Sequence, residues 1–465
     1  MSGVAATILH GETAHTALGL MKQKDFDDET KRLWADARLV IIDEISFANA
    51  GDFQKMQKNL HQLMQRGFSR PYGGLNVIFA GDYSQLEPVG CLPVYKVDEI
   101  PEFEGMVNTY IELDGKWRFK DDPVWGKRLL RFREGEPTVD DILYINEHCL
   151  LGNRPLPPPK GIRHATHLNA DRDAINAAVF EDFCSGSRPS NGTVLDSAVM
   201  VFMDDLFMSD SAKTMVPVKS NALKAFFYQN CADDDLRMRN KMEGRLDSVL
   251  KLYPYCPLMH TRNTDVPNGQ ANGSRVTCCH VKLKVGEQAF RLKMDCGTTI
   301  LGVFAGQVES IVVKHEIDDI FPQIFEVNVV KADFNCEMVF RDEILKARMS
   351  GSQFPLISNT CTTGHKLQGC GCDTLLVNNW HYGQNWAYVV LSRARKMEGL
   401  YLREPLTINL KKYSMANEMV TMLDKFRKRH LLKNILDDDY NDLIEATDFV
   451  NIDDESDTSS VNTDN

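Results

Sequence analysis

An α/β fold built on parallel sheet is predicted by three features of this chain. Two short apolar runs, Leu39-Val40-Ile41-Ile42 and Asn76-Val77-Ile78-Phe79-Ala80, are rich in β-branched residues, as expected of strands buried on both faces. Between them, Phe53, Met56, Leu60, Leu63 and Met64 recur at helical spacing across Asp52 to Arg66. Strand, helix and strand in that order give a right-handed βαβ unit. The same style returns late in the chain. Thr374-Leu375-Leu376-Val377 and Ala387-Tyr388-Val389-Val390-Leu391 are both expected to be strands.

The chain has 465 residues, enough for about three domains at roughly 150 residues each. With 43% hydrophobic and 25% charged residues it has the composition of a globular protein with a sizeable core. No stretch approaches about 18 consecutive apolar residues, so no transmembrane helix is expected. The net charge is −12, but residues 437–465 hold eleven Asp or Glu and no Lys or Arg. The body is therefore close to neutral, and binding to an anion must be judged from local patches. Twelve cysteines are scattered without a CxxC pair, and Cys278-Cys279 and Cys370 with Cys372 stand too close for a zinc knuckle. Reduced thiols and a reducing compartment fit better. The start, Met1 to Ala6, carries no basic stretch before an apolar run, so no secretory signal is expected.

Residues 1–150 form the expected first α/β domain, and the Pro-rich stretch Arg154–Pro159 reads as a domain-crossing segment. Residues 151–275 are mixed, with a helix expected over Asp171–Phe183 and a charged insertion around Asp233–Arg245. Residues 276–345 are β-rich, with strands expected at Val281–Lys284, Ala289–Lys293, Gly306–Lys314 and Ile324–Val330. The α/β style resumes over 346–410. A helix over Ser414–Leu432 lies within 411–436, and the acidic segment 437–465 is expected to be disordered.

Four motifs carry chemistry. Ile41-Ile42-Asp43-Glu44 ends an apolar strand in two carboxylates, at the sheet edge where α/β ligands bind. One acid suits Mg²⁺ and its neighbour suits an attacking water, although a strand ending in a polar turn has the same spelling. Gly81-Asp82-Tyr83-Ser84-Gln85 follows the next strand, and the Gln85 amide can report a γ-phosphate; an ordinary βα loop is the alternative. Thr363-Gly364-His365-Lys366-Leu367-Gln368-Gly369 groups hydroxyl, imidazole and ammonium donors with glycines, suited to a phosphate backbone or to a plain surface loop. Leu391-Ser392-Arg393-Ala394-Arg395 ends an apolar run in two arginines, able to aim a guanidinium at phosphate or simply to face solvent.

In this order the motifs resemble the Pif-one family of superfamily-one 5′-to-3′ DNA helicases, over most of residues 1–405. Gly3-Val4-Ala5-Ala6, Gly11, Thr13, His15 and Thr16 resemble its first strand-binding motif, and Asp43-Glu44-Ile45-Ser46 its Walker B. Gly81-Asp82 with Gln85-Leu86 and Pro88-Val89 resemble the motif that follows. Arg118 of Lys116-Trp117-Arg118, then Asn169 and Asn176, then Met259, Thr261, Asn263, Asn272 and Gly273 continue the series. His365-Lys366, Gln368-Gly369 and Leu391 to Ala394 close it. Glu87 stands where the family has Pro, and Leu367 where it has Ser. The family's phosphate loop, G-x-x-x-x-G-K-[ST], should precede Gly3, and residues 1–465 contain no such string. Gly115-Lys116 and Gly126-Lys127 lack both the upstream Gly and the following Ser or Thr.

The resemblance implies two RecA-like P-loop NTPase motor domains with a β-rich insertion in the second and an N-terminally truncated first domain. It implies ATP and Mg²⁺ in the cleft between them. Asp43 and Glu44 would hold Mg²⁺, partly through water, with Gln85, Arg118, Gln368, Gly369 and Arg393 at the nucleotide. Thr13, His15, Thr363, His365 and Lys366 would grip single-stranded DNA. The implied activity is ATP-dependent 5′-to-3′ unwinding in DNA repair, recombination or telomere maintenance, with DNA junctions and replication or repair proteins as partners. A monomer with no membrane association is expected, nuclear or alternatively mitochondrial. Lys425-Phe426-Arg427-Lys428-Arg429 spells either a nuclear address or the basic end of a helix. Two rival readings are a catalytically inactive DNA-binding remnant of such a helicase and an RNA-directed relative.

The acidic segment 437–465 is expected to restrain DNA binding by repelling phosphate. Its deletion should tighten binding at low salt, with the gain shrinking as salt rises. Equal affinities at about 50 mM salt would remove the idea.

Overall fold

The computed structural model describes residues 6, 9, 11–20, 25–64, 70–88, 90–96, 106–113, 117–155, 161–189, 193–210, 213–232, 246–316, 324–340 and 343–430. Gly3 to Ala5, Val89, Lys116, 156–159, Asp233–Arg245 and the acidic segment lie outside the described residues.

The first domain runs α1 (Ala14–Ala17), α2 (Asp28–Ala35), β1 (Leu39–Ile42), α3 (Ala50–Met64) and β2 (Asn76–Phe79). β1 and β2 pair in parallel, Leu39 with Asn76 through Ile42 with Phe79, with α3 as the crossover. One face of the pair carries Val40, Ile42, Val77 and Phe79 into a core with Phe53, Met56 and Leu60. The other face is not covered, contrary to the expectation of burial on both sides. Leu39, Ile41 and Ile78 are 49%, 60% and 49% exposed. An apolar run records that a face favours burial; it does not say which segment supplies the cover.

Next come α4 (Pro123–Arg133), α5 (Val139–Cys149), β3 (Arg163–Thr166) and α6 (Asn169–Gly186). Strands then begin at Leu195, well before the β-rich pattern read from 276. They are β4 (Leu195–Phe202), β5 (Asp204–Ser209) and β6 (Met215–Pro217), then α7 (Asn221–Ala232), β7 (Val249–Leu252), β8 (Pro257–His260), β9 (Arg275–Leu283), β10 (Phe290–Lys293), β11 (Thr299–Phe304) and β12 (Val308–His315). β13 (Ile324–Val327), β14 (Val330–Phe340), β15 (Glu343–Gln353) and β16 (Leu356–Ser358) complete the region. A five-stranded sheet of order β13-β12-β9-β8-β16 buries Val276, Cys278, Ile311 and Val313. A second core forms where α7 sets Phe227 against Phe334 and Met338 of β14.

The chain then returns to parallel sheet through β17 (Cys361–Thr363), α8 (Gly364–Leu367), β18 (Leu375–Val377), α9 (Trp386–Leu391) and β19 (Leu400–Leu402). The sheet order is β17-β3-β18-β19, all parallel. α9 corrects the sequence reading, which made Ala387–Leu391 a strand. Trp386, Ala387, Val389, Val390 and Leu391 are all buried, so the segment shows no polar face to reveal its period. α4 and α5 pack on this second sheet, with Trp125, Leu129, Phe132, Ile142 and Ile145 beside Leu375 and Val377.

The last helix, α10 (Asn417–His430), leaves the second domain and packs on the first. Met419, Met422, Leu423 and Phe426 join the core of Ile42 and Phe53, and Arg427 makes a two-pronged contact of 3.1 and 2.6 Å with Glu112. Within the basic run Lys425 to Arg429, Phe426 is thus core and Arg427 is paired.

The α4–α5 hairpin is locked by a buried carboxylate. Asp141 is fully buried and accepts from Arg131, from Arg128 at 2.6 Å and from the Thr138 backbone at 3.0 Å in a capping box. Burial raises its pKa, but those hydrogen bonds outweigh it and hold the carboxyl well below the ordinary range. A depressed pKa means stability present above the free Asp value and lost as pH falls through the folded one. Asp141→Ala removes the acceptor shared by Arg131, Arg128 and the capping box of α5, while Arg128 keeps Asp140 at 3.2 Å, and is expected to cost about 2 kcal/mol. Urea unfolding at pH 7 measures this, and a change under about 0.5 kcal/mol would contradict it.

Candidate nucleotide cleft and nucleic-acid interface

The end of β1 is turned sharply. Ile45 N–H donates to the Ala80 carbonyl at 2.9 Å and Ala80 N–H to the Ile42 carbonyl at 2.9 Å, which pins the loop between the two strand ends. Glu44 bridges this turn in the left-handed region, φ 55° and ψ 49°. Its partner loop needs glycine: Gly81 has φ +151°, and a Cβ there would stand 2.9 Å from Ile45 N. A non-glycine residue held at positive φ stores strain, as functional loops often do.

This turn places Asp43 and Glu44 together at the sheet edge. Burial, then the neighbouring Asp43 charge, raises the Glu44 pKa above the ordinary 4.5, opposed by Arg393. One Glu44 oxygen, Oε2, is buried with no hydrogen-bond partner. The consequence for stability has a definite sign. A carboxyl whose folded pKa is raised destabilises the fold as it ionises, so the cost grows as pH climbs from the free value through the folded one. Glu44→Gln should therefore raise Tm near pH 8, with the gain fading toward pH 5. A gain independent of pH would show that charge is not its cause.

Gln85 lies beyond β2, its amide Oε1 likewise buried and unpartnered. Asp82, read as part of the same motif, is held in place. It accepts from Arg133 at 3.1 and 3.2 Å, from Ser84 N–H at 3.0 Å and from the Tyr388 hydroxyl at 3.4 Å. No sequence pattern announced Arg133. Its only cue is a basic residue in the last turn of α4.

The second domain presents Arg393 just past the C-cap of α9, not at a strand end as expected. It is 1% exposed. Nε donates to the Val389 carbonyl at 2.8 Å and Nη2 to the Ser392 hydroxyl at 2.8 Å. Burial, then the charge of Arg118, lowers its pKa to about 10, while Glu44 acts in the opposite direction. Arg118 itself is exposed, in a single 3₁₀ turn over Trp117–Phe119. Two facing guanidiniums with Glu44 near one of them form a site whose charge an anion would relieve. Gln368 adds an amide with both Oε1 and Nε2 buried and unpartnered, beside Gly369 at φ +76°.

Thus Arg393 lies within electrostatic reach of both Glu44 and Arg118, and Glu44, Gln85 and Gln368 carry buried polar atoms without partners. Such atoms are costly unless something polar meets them, about 1–3 kcal/mol each. A nucleotide fits this set. No cluster of three metal-ligating side chains occurs among the described residues. Mg²⁺ takes one or two carboxylates plus phosphate oxygens, and Asp43 and Glu44 are the residues that could hold it here.

The residues expected on the strand behave differently from one another. Thr13 is buried and its hydroxyl is committed to Thr16, capping α1. His15 is exposed, 4.0 Å from Asp52. Thr363 precedes α8, and Lys366 is exposed and donates to Asn272 Oδ1 at 2.8 Å, joining that motif to the Asn263–Asn272 turn. His365 is half-buried and bonded to the Glu87 backbone of the first domain. Burial, then the His167 and His381 rings, lowers its pKa. Those two rings, not anticipated from sequence, stack 3.9 Å apart and nearly parallel. Gly364 is required by packing: a Cβ would sit 2.3 Å from Trp386 Nε1.

The seam between the domains runs along this edge. Asn385 Nδ2 donates to the Ser84 carbonyl at 3.0 Å and Gln384 Nε2 to Glu87 Oε2 at 3.1 Å.

Two α/β domains built on parallel sheet present carboxylates, amides and arginines at their junction. Residues 1–95 match the family model of the PIF1-like helicases, the Pif-one family of the sequence reading. The chain is 28% identical over 417 residues to the ATP-dependent DNA helicase PIF1 of Homo sapiens, covering 86% of this chain and 52% of that one. It is 22% identical over 412 residues to that of Rattus norvegicus, covering 86% and 53%. The chain thus spans about half the length of these relatives. The Pif1 helicase of Candida albicans superposes with a TM-score of 0.58 at 19% identity, over 91% of this chain and 87% of that one. A Bacteroides Pif1 helicase in complex with ADP-AlF3 and ssDNA gives 0.58 at 20% identity, over 92% and 86%. These two are likenesses of fold.

Proposed function

We propose that this chain supplies the motor of an ATP-dependent DNA helicase that tracks single-stranded DNA 5′ to 3′. The observation that carries the reading is the convergence at one junction of Glu44, Arg118 and Arg393 from distant parts of the chain. Bound Mg²⁺–ATP would supply the phosphoanhydride and its charge. Asp43 and Glu44 would hold the cation, in part through water, and the Glu44 carboxylate would be placed to take a proton from water. Gln85 and Gln368 offer unpartnered amides, and Arg118 and Arg393 neutralise phosphate charge. On the other edge, His15, Thr363, His365 and Lys366 meet the strand, with Thr13 fixing the backbone of its loop. Because the Asp82–Glu87 loop touches both edges, a change at Gln85 reaches Glu87, His365 and Gln384.

DNA junctions as substrates, service in repair, recombination or telomere maintenance, replication or repair proteins as partners, monomeric action and a nuclear or mitochondrial address belong to the same proposal. The test is binding of a labelled oligothymidylate, followed by unwinding of a duplex with a 5′ single-stranded tail. Binding without preference for single strands, or unwinding only from a 3′ tail, would overturn it. The lack of a phosphate-loop string in residues 1–465 favours a second reading, in which these residues alone grip DNA without turnover.

A further inference from the structure

The β-rich region carries a pair of thiols where a hairpin tip meets a helix end. Cys296 stands in the turn between β10 and β11, closed by Met294 N–H on the Thr298 carbonyl and Gly297 N–H on the Met294 carbonyl, each at 2.8 Å. Gly297 takes φ +82° to complete it. The tip rests on the end of α6. Thr298, 1% exposed, donates its hydroxyl to the Cys184 carbonyl at 3.1 Å. Cys184 is buried in a small apolar cluster with Phe180, Leu195, Ala198 and Ile300, and Cys296 packs against that same cluster. Cys296 is partly exposed, so one thiol of the pair meets solvent and the other does not.

The two sulfurs differ in chemistry. The Thr298 hydroxyl and N–H, then the Ser185 hydroxyl, reach the Cys296 sulfur and hold its pKa below the ordinary thiol value. Donors around a sulfur favour the thiolate, which is the nucleophilic form. The Arg188 guanidinium lies beside the same turn, 3.4 Å from where a Cβ of Gly297 would stand. Burial, then the charges of Cys296 and Glu181, push Cys184 up to about 11 against the pull of Lys251. Cys184 is therefore a neutral thiol within reach of the Cys296 charge. A second pair, Cys256 and Cys278, lacks this division. Their thiols hydrogen-bond to one another, that bond and burial hold Cys278 above the ordinary range, and both residues are 2% exposed.

A nucleophilic thiol at the surface beside a buried partner is the arrangement that a hydroperoxide converts to a disulfide. We propose that Cys296 is a peroxide-reactive thiol and Cys184 the thiol that resolves it, so that oxidation ties the β10–β11 tip to the end of α6. In the first step the Cys296 thiolate attacks hydrogen peroxide. An S–O bond forms, the O–O bond breaks, and hydroxide leaves and takes up a proton to become water. The Cys184 thiol then attacks the Cys296 sulfur. An S–S bond forms, the S–O bond breaks, and the hydroxyl departs with the Cys184 proton as water. Two thiols and one peroxide thus give one disulfide and two waters. In a reducing compartment a dithiol reductant reverses the bond, so the cross-link is transient.

The test uses the full chain, reduced, freed of reductant and treated with hydrogen peroxide, with peptide masses read before and after dithiothreitol. A Cys184–Cys296 cross-link that dithiothreitol removes is expected. In Cys184→Ala the oxidation should stop at the sulfenic acid, trapped on Cys296 by dimedone. With iodoacetamide at pH 7, Cys296 should react about 5-fold or more faster than Cys91, which is also exposed. Thr298→Val should remove that lead at pH 7 and leave the rate at pH 10 unchanged, because the hydroxyl acts by favouring the thiolate; a merely structural role would alter both. Equal labelling of Cys296 and Cys91 in the native chain would overturn the inference. So would a peroxide-induced bond between Cys256 and Cys278 with Cys296 left as a thiol. Sulfenic acid on Cys296 of the native chain without a bond to Cys184 would overturn it too, since the two sulfurs would then not meet. These three outcomes are read on the native chain, so poor folding of a variant does not obscure them.

Discussion

Replacing Arg393 by alanine is expected to abolish ATP hydrolysis, by about 10³-fold or more, in a chain in which a phosphate loop has been joined ahead of residue 1. DNA affinity measured without nucleotide should barely change. Arg393 is buried, and its charge is opposed by Arg118 and supported by Glu44. On the proposed reading, an anion meeting both guanidiniums would offset the cost of burying one cation near another. Arg393→Lys separates charge from geometry. It keeps the positive charge but loses the fork that reaches Val389, Ser392 and phosphate together, so it should recover little of the rate. Both variants need a Tm measurement, since Nε and Nη2 also tie down the end of α9. A well-folded Arg393→Ala protein that hydrolyses ATP normally but binds DNA poorly would move this residue to the nucleic-acid face.

What the sequence made legible follows from the range of the signals involved. β1, β2 and α3 were readable because their periods are local, and the observed bounds of both strands match the apolar runs to within a residue. Ala387–Leu391 was misread because a helix buried on all sides has no polar face to show its period. The early β-rich strands from Leu195 were missed because β4 interleaves Asp196, Ser197 and Ala198 with its hydrophobic residues, without the β-branched density that marks later strands. Long-range partners left no trace at all. Arg133 reaches Asp82 across 51 positions, and Arg427 reaches Glu112 across 315. The candidate site was legible as a set of residue types, since Asp43-Glu44, Gln85, Gln368 and Arg393 were all singled out. Their states were not: that Gln368 is stranded without partners, that Thr13 caps a helix, and that burial and two neighbouring histidines lower the His365 pKa are all products of packing.

The chain formed by residues 1–465 is expected not to turn over ATP at a measurable rate. In a phosphate-loop enzyme, backbone N–H groups cradle the β- and γ-phosphates, a lysine neutralises charge between them, and a Ser or Thr holds Mg²⁺. Residues 1–465 contain no G-x-x-x-x-G-K-[ST] string, and neither Gly-Lys pair has the upstream Gly or the following Ser or Thr. Gly126 lies within α4, where a Cβ would already stand 2.9 Å from Phe119, so its backbone is closed to a phosphate. Asp43, Glu44, Gln85, Arg118 and Arg393 can meet a metal ion and the outer phosphate oxygens, but they supply no cradle that fixes the γ-phosphate for in-line attack. The uncovered face of β1 and β2, with Leu39, Ile41 and Ile78 in solvent, lies on the same small sheet that presents Asp43 and Glu44. A segment covering that face would therefore be well placed to bring a cradle to the site. The comparison is between residues 1–465 and a chimera carrying a phosphate-loop segment ahead of Met1. Hydrolysis stimulated by single-stranded DNA should appear in the chimera alone and vanish in it on Glu44→Gln. Hydrolysis by the 465-residue chain itself, abolished by Glu44→Gln so that a contaminating enzyme is excluded, would show that the cradle is supplied by residues with no resemblance to a phosphate loop.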